Sequence, residues 1–262
     1  MARHLVAFYS TTTSTTSYQI ITPVADSLIS IQNNNSVQIG ALKKLAAAYA
    51  KGQAVIRARF QAPSILTKFG SYLGWADVDT GLVSAGATTA QDPPIQDWFD
   101  RPVDLDSNDN LQAAAYAQSG LNNAQVILAW LDNGINPPAP AGEYLPGVRF
   151  TGSTTLTANA WTDVPLTPED AIGAGTYAVV GMRAYSATAI AARLNLKGYP
   201  YRMGVLASPS GAGTDTKVLE RFRAGRLGEW GRFTNQVLPS VEFLAGAADT
   251  SEVVYLDLVK VG

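Results

Sequence analysis

Apolar residues recur at every second position along much of this chain, in short runs closed off by clusters of Gly, Pro, Asn, Asp and Ser. That is the pattern of half-buried β-strands joined by turns. In the first half the alternation predicts strands over 5–10, 18–23, 37–39, 54–61, 66–73, 95–103, 111–117 and 125–131. In the second half it predicts 148–151, 160–166, 176–183, 188–196, 201–207, 227–236, 241–245 and 252–261. One stretch departs from period two: Leu42, Leu45, Ala46 and Tyr49 recur at helical spacing within Ala41–Lys51, which predicts a short amphipathic helix between the third and fourth strands.

The two halves repeat one another in order. Ile56, Ala58 and Phe60 form an apolar face with Arg57 and Arg59 opposite, and Ile190, Ala192 and Leu194 form the same face with Arg193 matching Arg59. Gly40 and Gly181 precede these runs, and each half then reaches a Trp, Trp98 and Trp230. Each half closes on an apolar run, Gln125–Leu131 in one and Glu252–Leu258 in the other. Between the copies lies the Pro-rich segment from Asn136 to Pro146. The reading is therefore all-β, two tandem eight-stranded jelly-roll sandwiches with a short helix in the first: residues 1–135, a linker over 136–147, and residues 148–262.

Composition narrows the function. Charged residues are 15% of the chain, against roughly a quarter in an average soluble domain, and a surface so poor in charge suits coverage by neighbours. There is no cysteine, which removes disulfides, thiolate metal sites and a thiol nucleophile. The formal net charge of −2 gives no whole-chain attraction to nucleic acid. The opening Met1-Ala2-Arg3-His4 and the short apolar run after it do not read as a secretory signal.

Candidate chemistry is sparse. Gly211–Lys217 lacks the Gly-Lys-Ser/Thr ending of a phosphate loop and reads as a surface loop. Asp104, Asp106 and Asp109 sit near calcium-loop spacing, yet Asp109 stands where the sharp turn wants Gly and Ala115 where the loop wants Glu, so a turn is expected. His4, the only histidine, has no Gly-x-Ser-x-Gly elbow to serve, and the pair Asp77 and Asp79 gives no through-space separation. No enzyme activity, metal or cofactor is expected.

The remaining candidates are surfaces. Arg221, Arg223, Arg226 and Arg232, interrupted by Phe222, Leu227 and Trp230, would meet phosphate, lipid head groups or an acidic neighbour, or else form a solvated face or salt bridges between subunits. In the last strand of the first half Ile127, Ala129 and Leu131 make one apolar face and Val126, Leu128 and Trp130 the other. Both faces want burial, in ordinary core packing or at an interface between the halves.

A duplicated eight-stranded unit with few charges and elaborated connections over Asp77–Pro94 and Ser208–Thr216 resembles the double jelly-roll major capsid proteins of icosahedral viruses and bacteriophages. The resemblance rests on architecture and covers the whole chain. It implies a structural coat protein that forms homotrimeric, pseudo-hexagonal capsomers in a virion assembled in the host cytoplasm. Its partners would be copies of itself, with room for minor virion proteins and an internal membrane and with no specific nucleic acid. The alternative is a tandem β-sandwich that binds carbohydrate or surfaces in a phage fibre or adhesin, with Tyr72 and Trp75 as stacking platforms.

Overall fold

The computed structural model describes residues 3–12, 17–52, 55–68, 75–78, 95–117, 123–208 and 220–262. The chain divides into two compact units, Leu5–Gly134 and Ile135–Gly262, and Arg3 and His4 group with the latter.

The first unit contains β1 (Arg3–Thr12), β2 (Gln19–Ile21), β3 (Ser30–Gln32), β4 (Ser36–Gln38), β5 (Lys44–Gly52), β6 (Val55–Gln61), α1 (Pro63–Lys68), β7 (Trp75–Val78), β8 (Gln96–Asp97), β9 (Val103–Asp104), β10 (Asn110–Ala117) and β11 (Asn123–Asp132). One sheet runs β1-β11-β5-β8 and the other carries β2, β10, β6 and β7, with the β3–β4 hairpin added at β10. Counting the eight principal strands in chain order, these are 1-8-3-6 and 2-7-4-5. That is jelly-roll order. Phe8 and Phe60, both fully buried, meet edge to face at 6.0 Å between the sheets.

The second unit contains β12 (Glu143–Gly152), β13 (Trp161–Pro165), β14 (Thr167–Pro168), β15 (Thr176–Tyr185), β16 (Ala189–Asn195), β17 (Gly204–Ser208), a 3₁₀ turn (Glu220–Phe222), β18 (Gly231–Thr234), β19 (Ser240–Ala245) and β20 (Glu252–Lys260). Its pairings are β12-β20-β15-β18 and β13-β19-β16-β17, again 1-8-3-6 and 2-7-4-5. A short parallel pairing, Ala184 with Ala207 and Tyr185 with Ser208, joins the two sheets at one edge.

The rolls correspond residue by residue in both sheets. Strand three carries one extra residue opposite strand eight in each: Ala46 is skipped between Trp130↔Ala47 and Leu131↔Leu45, and Val180 between Asp257↔Gly181 and Leu258↔Val179. This bulge equates Leu131 with Leu258, Trp130 with Asp257 and Gln125 with Glu252. In the other sheet Arg59 lies opposite Ala114, whose partner on the far side is Ile20, and Arg193 lies opposite Glu242, whose partner on the far side is Asp163. The aromatic two residues ahead of that strand-two position lies beneath each arginine. Arg59 covers Tyr18 at 3.4 Å and Arg193 covers Trp161 at 4.1 Å. Trp98 and Trp230 donate their backbone N–H groups to Ala46 and Val179, at the strand-three bulge of their own rolls.

Four sequence expectations need correction. The segment Ala41–Lys51 is not helical: β5 is a strand whose residues Leu45 to Ala50 are all buried. A strand covered on both faces has no period-two signal, and its run of Ala favours a helix locally, so packing overrides propensity. The only α-helix among the described residues is α1, which occupies part of the strand expected over 66–73, the remainder lying outside the described residues. It begins at Pro63, and the buried Asp109 accepts from the Ser64 N–H (3.1 Å) and hydroxyl, capping the first turn. Gly40 is not the counterpart of Gly181: it sits in a turn with φ of 55°, whereas Gly181 lies inside β15 and matches Ala47. Finally, β12 starts at Glu143, inside the segment read as linker.

Candidate functional site

The expected interface residues fall into two groups. Val126, Leu128 and Trp130 lie on β11 opposite the core-facing Ile127, Ala129 and Leu131, and Trp130 and Leu128 are as buried as those core residues. In the second roll the corresponding row is Val253, Tyr255 and Asp257, of which the first two are half-buried.

The basic cluster is a clamp. Asp257, buried on the outward side of β20, accepts from the Gly147 N–H and the Ala224 N–H, both at 2.9 Å, and faces Arg223 at 3.6 Å. A Cβ on Gly181 would come within 2.8 Å of Arg223 Cα and the Phe222 carbonyl, so the 220–226 segment lies directly on the sheet there. The Pro-rich segment packs alongside, since the Pro137 carbonyl accepts the Glu229 N–H at 2.9 Å. Arg226 faces Glu220 at 3.5 Å, and Arg232 makes a bidentate pair with Glu229 at 2.8 and 2.9 Å. Arg221 is half-buried beside the fully covered Phe222, and Trp230 is buried. Three of the four arginines therefore face acids of their own roll, and the cluster holds residues 220–232 against the sheet.

The acidic turn resolves similarly: Asp104 pairs with Lys44 at 2.5 Å and Asp109 caps α1. Of the proposed stacking platforms, Tyr72 lies outside the described residues and Trp75 stands in β7. The connection over Asp77–Pro94 continues β7 through Val78 and then leaves the described residues, as does Ser208–Thr216 after Ser208.

Two arrangements escaped sequence reading because their residues come from several strands. The first is a cross-strand row on the outward face of the second roll, Arg149, Tyr255 and Arg183, in register. Arg183 lies over the Tyr255 ring at 4.7 Å and faces no carboxylate among the described residues, Arg149 pairs with Glu169, and Tyr185 meets Tyr255 edge to face at 5.7 Å. Nearby Tyr144 is exposed, and its hydroxyl is held above the usual tyrosine range by partial burial and by Asp257, against Arg223 and Arg183. Tyrosine and arginine are the side chains enriched where proteins meet other molecules.

The second is a buried polar cluster. Arg193 donates Nε to Glu242 Oε2 at 2.5 Å, and Arg202 pairs with the other oxygen of Glu242. Arg193 Nη1 lies 3.2 Å from His4 Nε2, and His4 Nδ1 accepts the Arg202 backbone N–H at 3.0 Å. His4 and Arg193 are both essentially inaccessible, at 0% and 1%. The sequence offered one clue, the pairing of Arg193 with Arg59, and none for His4.

A third feature repeats in both rolls. Gln125 and Glu252 hold corresponding positions near the start of the last strand of their rolls, are fully buried, and have side-chain oxygens without a hydrogen bond of good geometry. Burial pushes the Glu252 carboxyl above its ordinary range, Asp249 adds to this, and the Glu252 and Thr154 amides oppose it.

No family model matches this chain, and no curated protein matches it. Among solved structures, the major capsid protein of bacteriophage PM2 aligns over 99% of this chain and 98% of its own, at 9% identity and a TM-score of 0.25. A likeness of that size carries no argument about function.

Proposed function

We propose that this chain is a structural coat subunit that associates with copies of itself, as a trimer, to build the shell of a virion. The observation that supports this best is the residue-level correspondence of the two rolls, seen in the strand-three bulges and in the Arg59–Tyr18 and Arg193–Trp161 stacks. A subunit made of two like rolls presents two similar sides, and three such subunits present six, which lets one gene product tile a hexagonal lattice. The rolls have also diverged: the row of the last strand that reads Val126, Leu128, Trp130 in one reads Val253, Tyr255, Asp257 in the other. A charge content of 15% fits surfaces destined to be covered. This role calls for no reaction and no cofactor.

Light scattering and electron microscopy of the purified chain test it. Trimers, and shells or flat hexagonal arrays on concentration, are the expected result. A monomer at micromolar concentration across the accessible salt range, combined with binding on a glycan array, would replace this reading with that of a tandem carbohydrate-binding module.

A further inference from the structure

We infer that the outward face of the second roll around Arg183 and Tyr255 receives the first roll of another copy of this chain, at its acidic stretch 97–106. The inference rests on the coat-subunit reading and names the surface through which copies would join. The two rolls treat this place differently. Register equates Arg183 with Tyr49 and Tyr255 with Leu128. Tyr49 and Leu128 are 4% and 0% exposed, so the first roll buries this row. In the second roll Arg149, Arg183, Tyr185 and Tyr255 stay half-open, and Tyr144 nearby is 44% exposed. Arginine and tyrosine are enriched where proteins bind one another.

The edges of that sheet are blunted against strand addition. β12 breaks register between Leu145 and Val148, where Pro146 has no N–H to donate, and on β18 the Arg232 N–H is taken by the Tyr199 hydroxyl at 3.1 Å. That leaves the face as the surface for a partner, and charge selects which one. Arg183 lies over the Tyr255 ring at 4.7 Å with Nε buried and without a hydrogen bond, and it faces no carboxylate among the described residues. Its neighbours are matched, Arg149 by Glu169 and Arg223 by Asp257. Residues 5–134 hold ten acidic side chains against seven basic ones, while residues 135–262 hold eleven of each. The excess of acid is therefore in the first roll. There Asp97, Asp100, Asp104 and Asp106 are exposed in one short stretch with Arg101, and Asp104 also pairs with Lys44 of its own roll. A carboxylate from that stretch would do for Arg183 what Glu169 does for Arg149. A contact between unlike surfaces repeats head to tail and closes into a ring when its rotation permits, which is how a trimer arises.

Sedimentation of the intact chain, wild type and Arg183→Glu, tests this, with denaturant midpoints to show that both fold. The wild type should associate, less tightly as salt is raised, and Arg183→Glu should associate at least about tenfold more weakly, because a like charge then meets the acids. Hydroxyl-radical footprinting of the wild type reads the same contact without a substitution. Tyr144, Tyr185, Tyr255 and the stretch 97–106 should all be protected in the oligomer relative to the diluted monomer. If Arg183→Glu does not fold, the footprint decides alone. A wild type that stays monomeric overturns the coat-subunit reading and this inference together. Trimers in which those tyrosines are labelled as fast as in the monomer overturn this inference and leave the coat reading standing, as does undiminished association of a folded Arg183→Glu. Protection of the tyrosines with none at 97–106 also overturns it, and so does an acidic glycan that binds the wild type but not Arg183→Glu while the oligomer is unaffected, since either result gives the face to another occupant.

Discussion

Glu252→Gln is the substitution whose effect follows most directly from the structure. The wild-type carboxyl is 1% exposed, and neither oxygen makes a hydrogen bond of good geometry. Its folded-state affinity for a proton is raised by burial first and by Asp249 second. A carboxyl that holds its proton more tightly when folded than when unfolded makes stability fall with rising pH. Below the unfolded value of ~4.3 both states are protonated and nothing is lost, and as pH climbs through the raised folded value the folded state pays increasingly for ionisation. Above that value the penalty is constant. Gln removes the charge while keeping the shape, and Gln125 occupies the corresponding place in the first roll. Leaving a buried polar group unsatisfied costs about 1–3 kcal/mol and more when it is charged; the Gln amide keeps the first cost and sheds only the excess due to charge, so the variant should gain on the order of 1 kcal/mol at pH 8 and nothing at pH 4. Urea unfolding of wild type and variant at pH 4, 6 and 8, at equal m-values, measures the difference. A variant that is less stable at pH 8, or a gain that does not shrink toward pH 4, would refute the account and point to an unrecognised partner for the carboxylate.

Three further outcomes are expected. Trp130→Ala should cost about 3–5 kcal/mol, the range for truncating a buried Trp, and an unchanged denaturant midpoint would show that the side chain is not packed. Gly181→Ala should loosen the 220–226 clamp, because the new Cβ meets backbone atoms of Phe222 and Arg223 that have no flexible end to move; limited proteolysis should cut that segment faster, and wild-type cleavage rates would contradict the geometry. Glu242→Gln should destabilise the second roll by about 3–5 kcal/mol, since it removes the carboxylate that Arg193 and Arg202 share, and calorimetry showing less than ~1 kcal/mol would contradict that pairing.

What was legible in the sequence was whatever repeats along a strand. The two apolar closing runs and the pair Arg59 and Arg193 lie in strands with an alternating or matching pattern, and the structure equates both at the register the sequence suggested. β5 looks helical in sequence because Ala46, Ala47, Ala48 and Ala50 are small enough for a strand closed in on both faces and are also strong helix formers. Only a neighbour's proximity separates those outcomes, and proximity is absent from a one-dimensional pattern. Gly40 and Gly181 look equivalent in sequence because both precede an apolar run, yet one serves a left-handed turn and the other gives a crossing segment room against the sheet.

The polar groups were hidden for a related reason. His4 and Arg193 are 189 positions apart, and Asp257 and Gly147 are 110 apart. Each pair is brought together by sheet topology, so no local spacing could announce it. The arginines between 221 and 232 were conspicuous in sequence because they lie close together, and for that same reason Arg226 and Arg232 pair with Glu220 and Glu229 in their own segment. Density along the chain therefore pointed to a structural clamp, whereas the buried pairing of Arg193 and Arg202 with Glu242 and the stack of Arg183 over Tyr255 involve residues that look isolated when the sequence is read in order. In a duplicated fold the better guide is the difference between corresponding positions: Ala114 against Glu242, and Trp130 against Asp257, mark where one roll has taken on polar work that the other has not.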